Sequence, residues 1–213
     1  MSIEPRAGIR PLYRLTQLTV TALFKAVFGL RVEGRENVPL SGGFILASNH
    51  KSWFDPPIVG ATCPREIFYA AKRELFTKPI LGALVKYYNS IPVRRTGFDR
   101  EVMLVMGEAL RTGFGIAIFP EGTRFRDEHL HAPKAGVGLL SLKNNVPIVP
   151  VHVANSAFLT GQILRRRLRI RFGKPFAVSE LNLGGLSDKD KYKAIALETM
   201  NRIAQTGGVN PPS

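Results

Sequence analysis

Residues 44–56 read FILASNHKSWFDP. Phe44–Ser48 is a short, unbroken apolar run, the pattern of a strand covered on both faces and not of one that alternates between core and water. It delivers the chain to Asn49 and His50, at the carboxyl end of a strand, where open α/β sheets hold their ligand sites. If a helix starts at Ser52 or a neighbour, His50 sits at the strand-to-helix turn and Asp55 lies close enough to reach back. Asp55 would then accept a hydrogen bond from one imidazole nitrogen, fix the tautomer and leave the other nitrogen free to take a proton. The plainer alternative is a strand end, a helix cap and a satisfied histidine, and spacing alone leaves both open.

Working outward, Gly115–Phe119 (GIAIF) is a second continuous apolar run. Between the two, Asp99–Thr112 places Val102, Val105, Met106, Ala109 and Leu110 at helical spacing. Strand alternating with helix predicts an α/β fold with a largely parallel central sheet flanked by helices. Val146–Val151 (VPIVPV) is an odd strand, because Pro147 and Pro150 cannot donate to a ladder and belong at an edge or a bulge. Arg167–Phe172 (RLRIRF) alternates, with Leu168, Ile170 and Phe172 on one face and three arginines on the other. Ser187–Ile203 reads as a closing helix and Thr206–Ser213 as a frayed tail.

The chain has 213 residues, enough for one domain with an appendage and for a sizeable core. A hydrophobic share of 45% against 22% charged residues excludes a disordered chain. Thirty Lys and Arg against 16 Asp and Glu give a net charge of +14, so the chain seeks anions, and nucleic acid and anionic lipid are the two candidates. The basic residues are scattered and no nucleic-acid motif appears, which disfavours the first. The single Cys63 excludes an internal disulfide framework, and four histidines without metal-ligand spacing argue against a metal site. Leu18–Leu30 is apolar but broken by Lys25, and is short for a bilayer span of roughly twenty residues. With Arg6, Arg10 and Arg14 before it and Arg31 after it, it reads as a helix lying in an interface, a plain core helix being the alternative. Residues 1–33 are therefore expected to be a membrane-associated helical segment and residues 34–213 the catalytic domain.

Two more stretches carry chemistry. Phe119–Arg124 (FPEGTR) follows the second buried run, so Glu121 and Arg124 would face one pocket, with Gly122 allowing close backbone approach, or would instead close a turn as an ion pair. Ile91–Thr96 (IPVRRT) ends another strand with Arg94 and Arg95 adjacent. If strand order sets that end beside FPEGTR, several arginines converge on a spot that wants an anion. No GxSxG elbow accompanies His50, which leaves a base that activates a hydroxyl of the substrate. A serine hydrolase would need an identifiable serine.

These blocks resemble the glycerolipid acyltransferases, and in particular the 1-acyl-sn-glycerol-3-phosphate (lysophosphatidic acid) type. NHKSWFD matches the family's NHxxxxD, IPVRR its second block, FPEGTR its third and VPIVPV its fourth, in order, over roughly residues 30–175. The resemblance implies that His50 is the general base and Asp55 its orienter. It implies that Arg94, with Arg95 beside it, binds the acceptor's phosphate, and that Glu121, Gly122 and Arg124 help to bind the acceptor. Lys134 and Gly136 resemble a lysine-x-glycine element that follows the third block, and Pro147 and Pro150 are structural. The implied reaction moves an acyl group from acyl-CoA or an acyl carrier protein to the 2-hydroxyl of lysophosphatidic acid, giving phosphatidic acid. It needs no cofactor and would take place at the cytoplasmic face of the cell membrane. Another lyso-lipid or glycerol phosphate as acceptor fits the same residues. Backbone amides near Gly122 are candidate donors to the developing oxyanion.

Overall fold

The structure is a computed structural model that describes residues 8–93, 99–127, 129–157 and 167–212. Arg94 and Arg95, expected to bind phosphate, lie outside the described residues.

Among the described residues, seven strands form one sheet: β1 (Arg31–Glu33), β2 (Phe44–Ser48), β3 (Ile67–Lys72), β4 (Ser90–Val93), β5 (Gly115–Ile118), β6 (Ile148–Ala154) and β7 (Arg169–Phe172), in the order β1-β7-β6-β2-β5-β3-β4. Every pairing is parallel except β6 with β7. The α-helices among the described residues are α1 (Pro11–Phe28), α2 (Asp55–Thr62), α3 (Pro79–Tyr87), α4 (Arg100–Arg111), α5 (Gly136–Asn144) and α6 (Asp188–Gly207).

The unbroken apolar character of β2 follows from its place between β5 and β6, with helices over both faces. Ile45 and Ala47 join a core with Met106 and Leu110 of α4, Leu140 of α5 and Met200 of α6. Phe44 and Leu46 point the other way, into a core with Phe24 of α1 and Ile58 of α2. β2 is the topological switch point: the chain leaves it for β3 on one side, and β6 adds on the other.

Pro150 is neither exposed nor at an edge, for β6 runs inside the sheet. It is accommodated by a bulge. Val151 faces Phe172 and Ile148 faces Phe176, so one extra residue sits on the partner side and the missing Pro150 N–H falls in that break. The arginine face of β7 is not free either. Arg169 and Arg171 reach Glu33 on β1 at 3.4 and 2.8 Å.

α1 starts at Pro11, well before the apolar run that suggested it, and ends at Gly29 in the left-handed conformation. Its inner face is built in: Tyr13 and Phe24 are buried, and Gln17 donates to the carbonyls of Gly60 and Cys63 at 2.9 Å. Just before it, Arg10 pairs with the buried Glu66 at 2.9 Å and lies over the rings of Tyr13 and Tyr87. Its outer face presents Leu12, Leu15, Leu18 and Leu23 to solvent. No described helix is long and apolar enough to cross a membrane. The tail expected to fray from Thr206 is helical to Gly207.

Candidate active site

The carboxyl ends of β2 and β5 are neighbours because their strands pair in register, Ala47 opposite Ile118. The loops that follow them therefore meet. Asn49 fastens the first loop to β6: its amide donates to the Val153 carbonyl at 2.9 Å and its oxygen accepts the Val153 N–H at 2.8 Å.

His50 is held from every side. Nδ1 lies 2.9 Å from Oδ2 of Asp55, the first residue of α2. The same oxygen accepts the N–H groups of Lys51 and Ser52, both at 2.7 Å. Asp55 is fully buried, and a carboxylate that already accepts two backbone donors takes Nδ1 as a third, which puts the proton on Nδ1 and leaves Nε2 as the open, basic nitrogen. The His50 ring stacks on Phe119 with centroids 4.2 Å apart. His50 N–H donates to Oε2 of Glu121 at 2.7 Å, and its carbonyl accepts Phe125 N–H at 3.0 Å. The histidine and carboxylate thus have the geometry expected of a base and its orienter.

Glu121 differs from both roles considered for it. It neither pairs with Arg124 nor presents its carboxylate outward: it is buried, Oε2 takes His50 N–H, and Oε1 takes His131 N–H at 3.1 Å. Burial raises its pKa above the ordinary value, partly offset by those two donors. Glu121 stitches the loop after β5 to the loop after β2. Gly122 has φ +70°, and a Cβ there would meet the side-chain carbons of Lys134 at 2.7 Å, so glycine is required for Lys134 to lie across the turn. The Gly122 N–H is already donated to Phe119 O at 3.0 Å, which removes it as an oxyanion donor. Lys134 N–H donates to Pro120 O at 2.8 Å, and Gly136 opens α5. Arg124 turns outward and lies 3.4 Å above the Trp53 ring.

Two residues without an expected role complete the site. Lys51 is buried, and its ammonium donates to the His129 carbonyl and lies 3.6 Å from Asp127. Asn49 is visible in the motif, but its bond to Val153 depends on strand order that no local pattern reveals. Cys63 is buried at the end of α2, where burial pushes its thiol up to about 12, as for a small apolar residue.

Residues 29–154 match the protein family described as Acyltransferase, an interval holding both loops of the site and strands β1 to β6. The chain belongs to the Acyltransferase family. The 1-acyl-sn-glycerol-3-phosphate acyltransferase of Bacillus subtilis is 26% identical over 83% of this chain and 87% of its own length. A lyso-ornithine lipid O-acyltransferase of Pseudomonas aeruginosa is 30% identical over 70% of this chain and 57% of its own length. Among solved structures, the 1-acyl-sn-glycerophosphate (LPA) acyltransferase PlsC of Thermotoga maritima superposes with a TM-score of 0.72. It is 22% identical, covering 92% of this chain and 79% of that one, and shares the fold. As a member of this family the chain is an O-acyltransferase.

Proposed function

We propose that the chain transfers a fatty acyl group from an acyl thioester, acyl-CoA or acyl carrier protein, to the 2-hydroxyl of 1-acyl-sn-glycerol 3-phosphate. The observation that carries this is the His50–Asp55 pair at 2.9 Å, poised beside an outward-facing Arg124. Nε2 of His50 takes the hydroxyl proton as the oxygen attacks the thioester carbonyl. Asp55 stabilises the imidazolium, the C–S bond breaks as the ester C–O bond is completed, and the proton passes to the leaving thiolate. A general base contributes about 10²–10⁴-fold, and the rigid mounting of His50 supplies positioning. Arg124, with Arg94 and Arg95, which follow β4 in the sequence, is the proposed seat of the acceptor phosphate, and Glu121 aligns the two loops instead of touching the acceptor.

Work at an anionic membrane surface is part of the same proposal. The exposed leucines of α1 supply apolar area, and the +14 charge supplies attraction at about 1 kcal/mol per basic residue close to the surface. Because the inner face of α1 is core, the test is not its deletion. Replacing Leu12, Leu15, Leu18 and Leu23 with glutamine should release the folded protein from anionic liposomes, and undiminished co-sedimentation would sink the idea.

A second reading, a lyso-lipid acceptor without phosphate, is favoured by the relative named for lyso-ornithine lipid. Acyl transfer from both thioesters to lysophosphatidic acid and to a phosphate-free lyso-lipid separates the two. The expected result is preference for lysophosphatidic acid, lost about 10²-fold or more in His50→Ala. Equal activity of that variant and wild type would return SNHKSWFDP to the status of a strand end and a cap.

A further inference from the structure

Among the described residues, four guanidiniums lie over aromatic rings: Arg10, Arg65, Arg124 and Arg202. Three of them also spend their N–H donors inside the protein. Arg10 donates to Glu66 and the Tyr87 carbonyl, Arg65 to the carbonyls of Pro39, Gly42 and Gly113, and Arg202 to Glu198. Their stacking is part of holding the fold together. Arg124 is different. Among the described residues it donates no hydrogen bond and forms no ion pair, although it lies closest of the four to its ring, at 3.4 Å.

The ring it lies on is also unlike the others. Phe44 and Phe176 are buried, whereas Trp53 is 58% exposed, in the turn between His50 and Asp55. Trp53 gathers a second cation, for the ammonium of Lys72, the last residue of β3, lies 4.9 Å from the same ring centre. Lys72 likewise makes no ion pair among the described residues. Partial burial and the like charge of Arg126 lower the pKa of Arg124, against a smaller opposing pull from the Asp55 carboxylate, with which it forms no ion pair. A guanidinium laid flat on an indole has its faces covered and its in-plane N–H donors open, the geometry for a bidentate bond to a phosphate.

We propose that Trp53 is a positioning residue, which lays Arg124 flat and gathers Lys72 beside it, so that both cations present their donors to the acceptor's phosphate three residues from His50. The proposal rests on the phosphate-bearing acceptor of the preceding section and adds Lys72 to the site. It assigns the exposed Trp53 indole a task of its own, as a mount for a cation.

Steady-state kinetics with a short-chain, monomerically soluble lysophosphatidic acid remove membrane docking from the readout. Trp53→Leu should raise the KM for this acceptor about tenfold, with kcat and the thioester KM within about twofold of wild type. Trp53→Phe keeps a π face and should stay within about threefold, while Lys72→Met should raise the acceptor KM about threefold or more. In an Arg124→Met background, adding Trp53→Leu should change little, because no guanidinium remains to be oriented. Effects that multiply in the double variant, or equal increases in both KM values, would overturn the proposal. Trp53 is the sole tryptophan and gives a readout independent of turnover. Glycerol 3-phosphate should change its emission saturably in wild type and not in Arg124→Met, and a flat wild-type titration would count against the proposal. A wild type that acylates only a phosphate-free lyso-lipid would remove the acceptor reading and this inference with it. An active wild type whose acceptor KM is unmoved by Trp53→Leu would remove this inference alone.

Discussion

Two histidine–carboxylate pairs stand within one loop of each other. His50 and Asp55 meet at 2.9 Å, and so do His131 and Asp127. Both rings stack on a phenylalanine, His50 on Phe119 and His131 on Phe125. By distance and contact type they are twins, yet their surroundings part them. Asp55 is fully buried and gives one oxygen to three donors, whereas the side chain of Asp127 is 46% exposed and binds His131 with both oxygens. Water competes for the second pair and screens it, so it is worth little in free energy. The first is fixed in place by backbone donors and cannot turn away. A hydrogen-bond length does not tell a catalytic pair from a loop fastening, nor does a count of donors, since Asp127 also accepts the His129 N–H at 2.9 Å; the burial of the carboxylate does.

The largest predicted effects test that distinction. His50→Ala should lower kcat by about 10²–10⁴-fold, and Asp55→Asn should approach it, because an amide cannot stabilise an imidazolium as a carboxylate does. His131→Ala in the same assay should stay within about threefold, as expected for a screened surface pair. If the two histidine variants lose activity equally, the comparison collapses.

Glu121→Gln sharpens it, since Glu121 holds His50 and His131 through their backbone N–H groups. A glutamine can offer only one oxygen, so one buried donor would face an amide NH₂. Such a mismatch costs about 1–3 kcal/mol, and denaturant unfolding should show it. The same slack in the mounting of His50 should lower kcat by about tenfold while leaving KM values near wild type. Unchanged stability and kcat would mean that the loops are held by something else.

A third histidine separates burial from pairing. His152 is buried with no carboxylate beside it among the described residues, and burial, helped by Arg171 and Lys51, lowers its pKa to about 4. A histidine lowered from about 6.5 binds its proton less well folded than unfolded. Stability should therefore be full above about pH 6.5 and fall as the pH drops towards about 4, by about 3 kcal/mol. Unfolding followed at pH 7 and pH 4.5 should show this loss in wild type and a shallower one in His152→Gln. A loss of the same size in both would assign the slope to other groups.

The smallest effect belongs to Asp127. Its carboxyl pKa lies below the ordinary value through the hydrogen bond from His131, and it is open to solvent. Asp127→Asn should leave thermal stability within about 1 °C and activity within about twofold. A large loss would promote the outer pair to part of the machinery.

Much of this is legible in the amino-acid sequence. β2 and β5 announce themselves because strands covered on both faces are apolar without interruption. The His50–Asp55 contact is local, five residues apart, and a local motif can carry it. β1, only three residues long, and β3, whose carboxyl half is partly exposed, offer no such run and leave no local signal. The task of Glu121 is illegible for another reason. Its partners are backbone groups of residues 71 positions earlier and 10 later, brought to it by the pairing of β2 with β5. Proline in VPIVPV points to an edge or a bulge, and only the offset between Phe172 and Phe176 decides between them. Arg124 stacks on a ring from a different loop, so its separation from Glu121 cannot be read from their spacing in FPEGTR.

The strand order also sets a timetable for synthesis. β1 pairs only with β7, and Glu33 waits for Arg171, 138 residues away in the chain. At roughly 5–20 residues per second, about 7–28 s separate the appearance of the two at the ribosome. β2, likewise, has no neighbour until β5 has been made. The inner face of α1 can be covered early, by α2 and Glu66, but its outer leucines stay bare throughout that interval. A nascent chain of this order is at its stickiest while it is least folded, and whatever apolar surface lies near the exit tunnel meets it first.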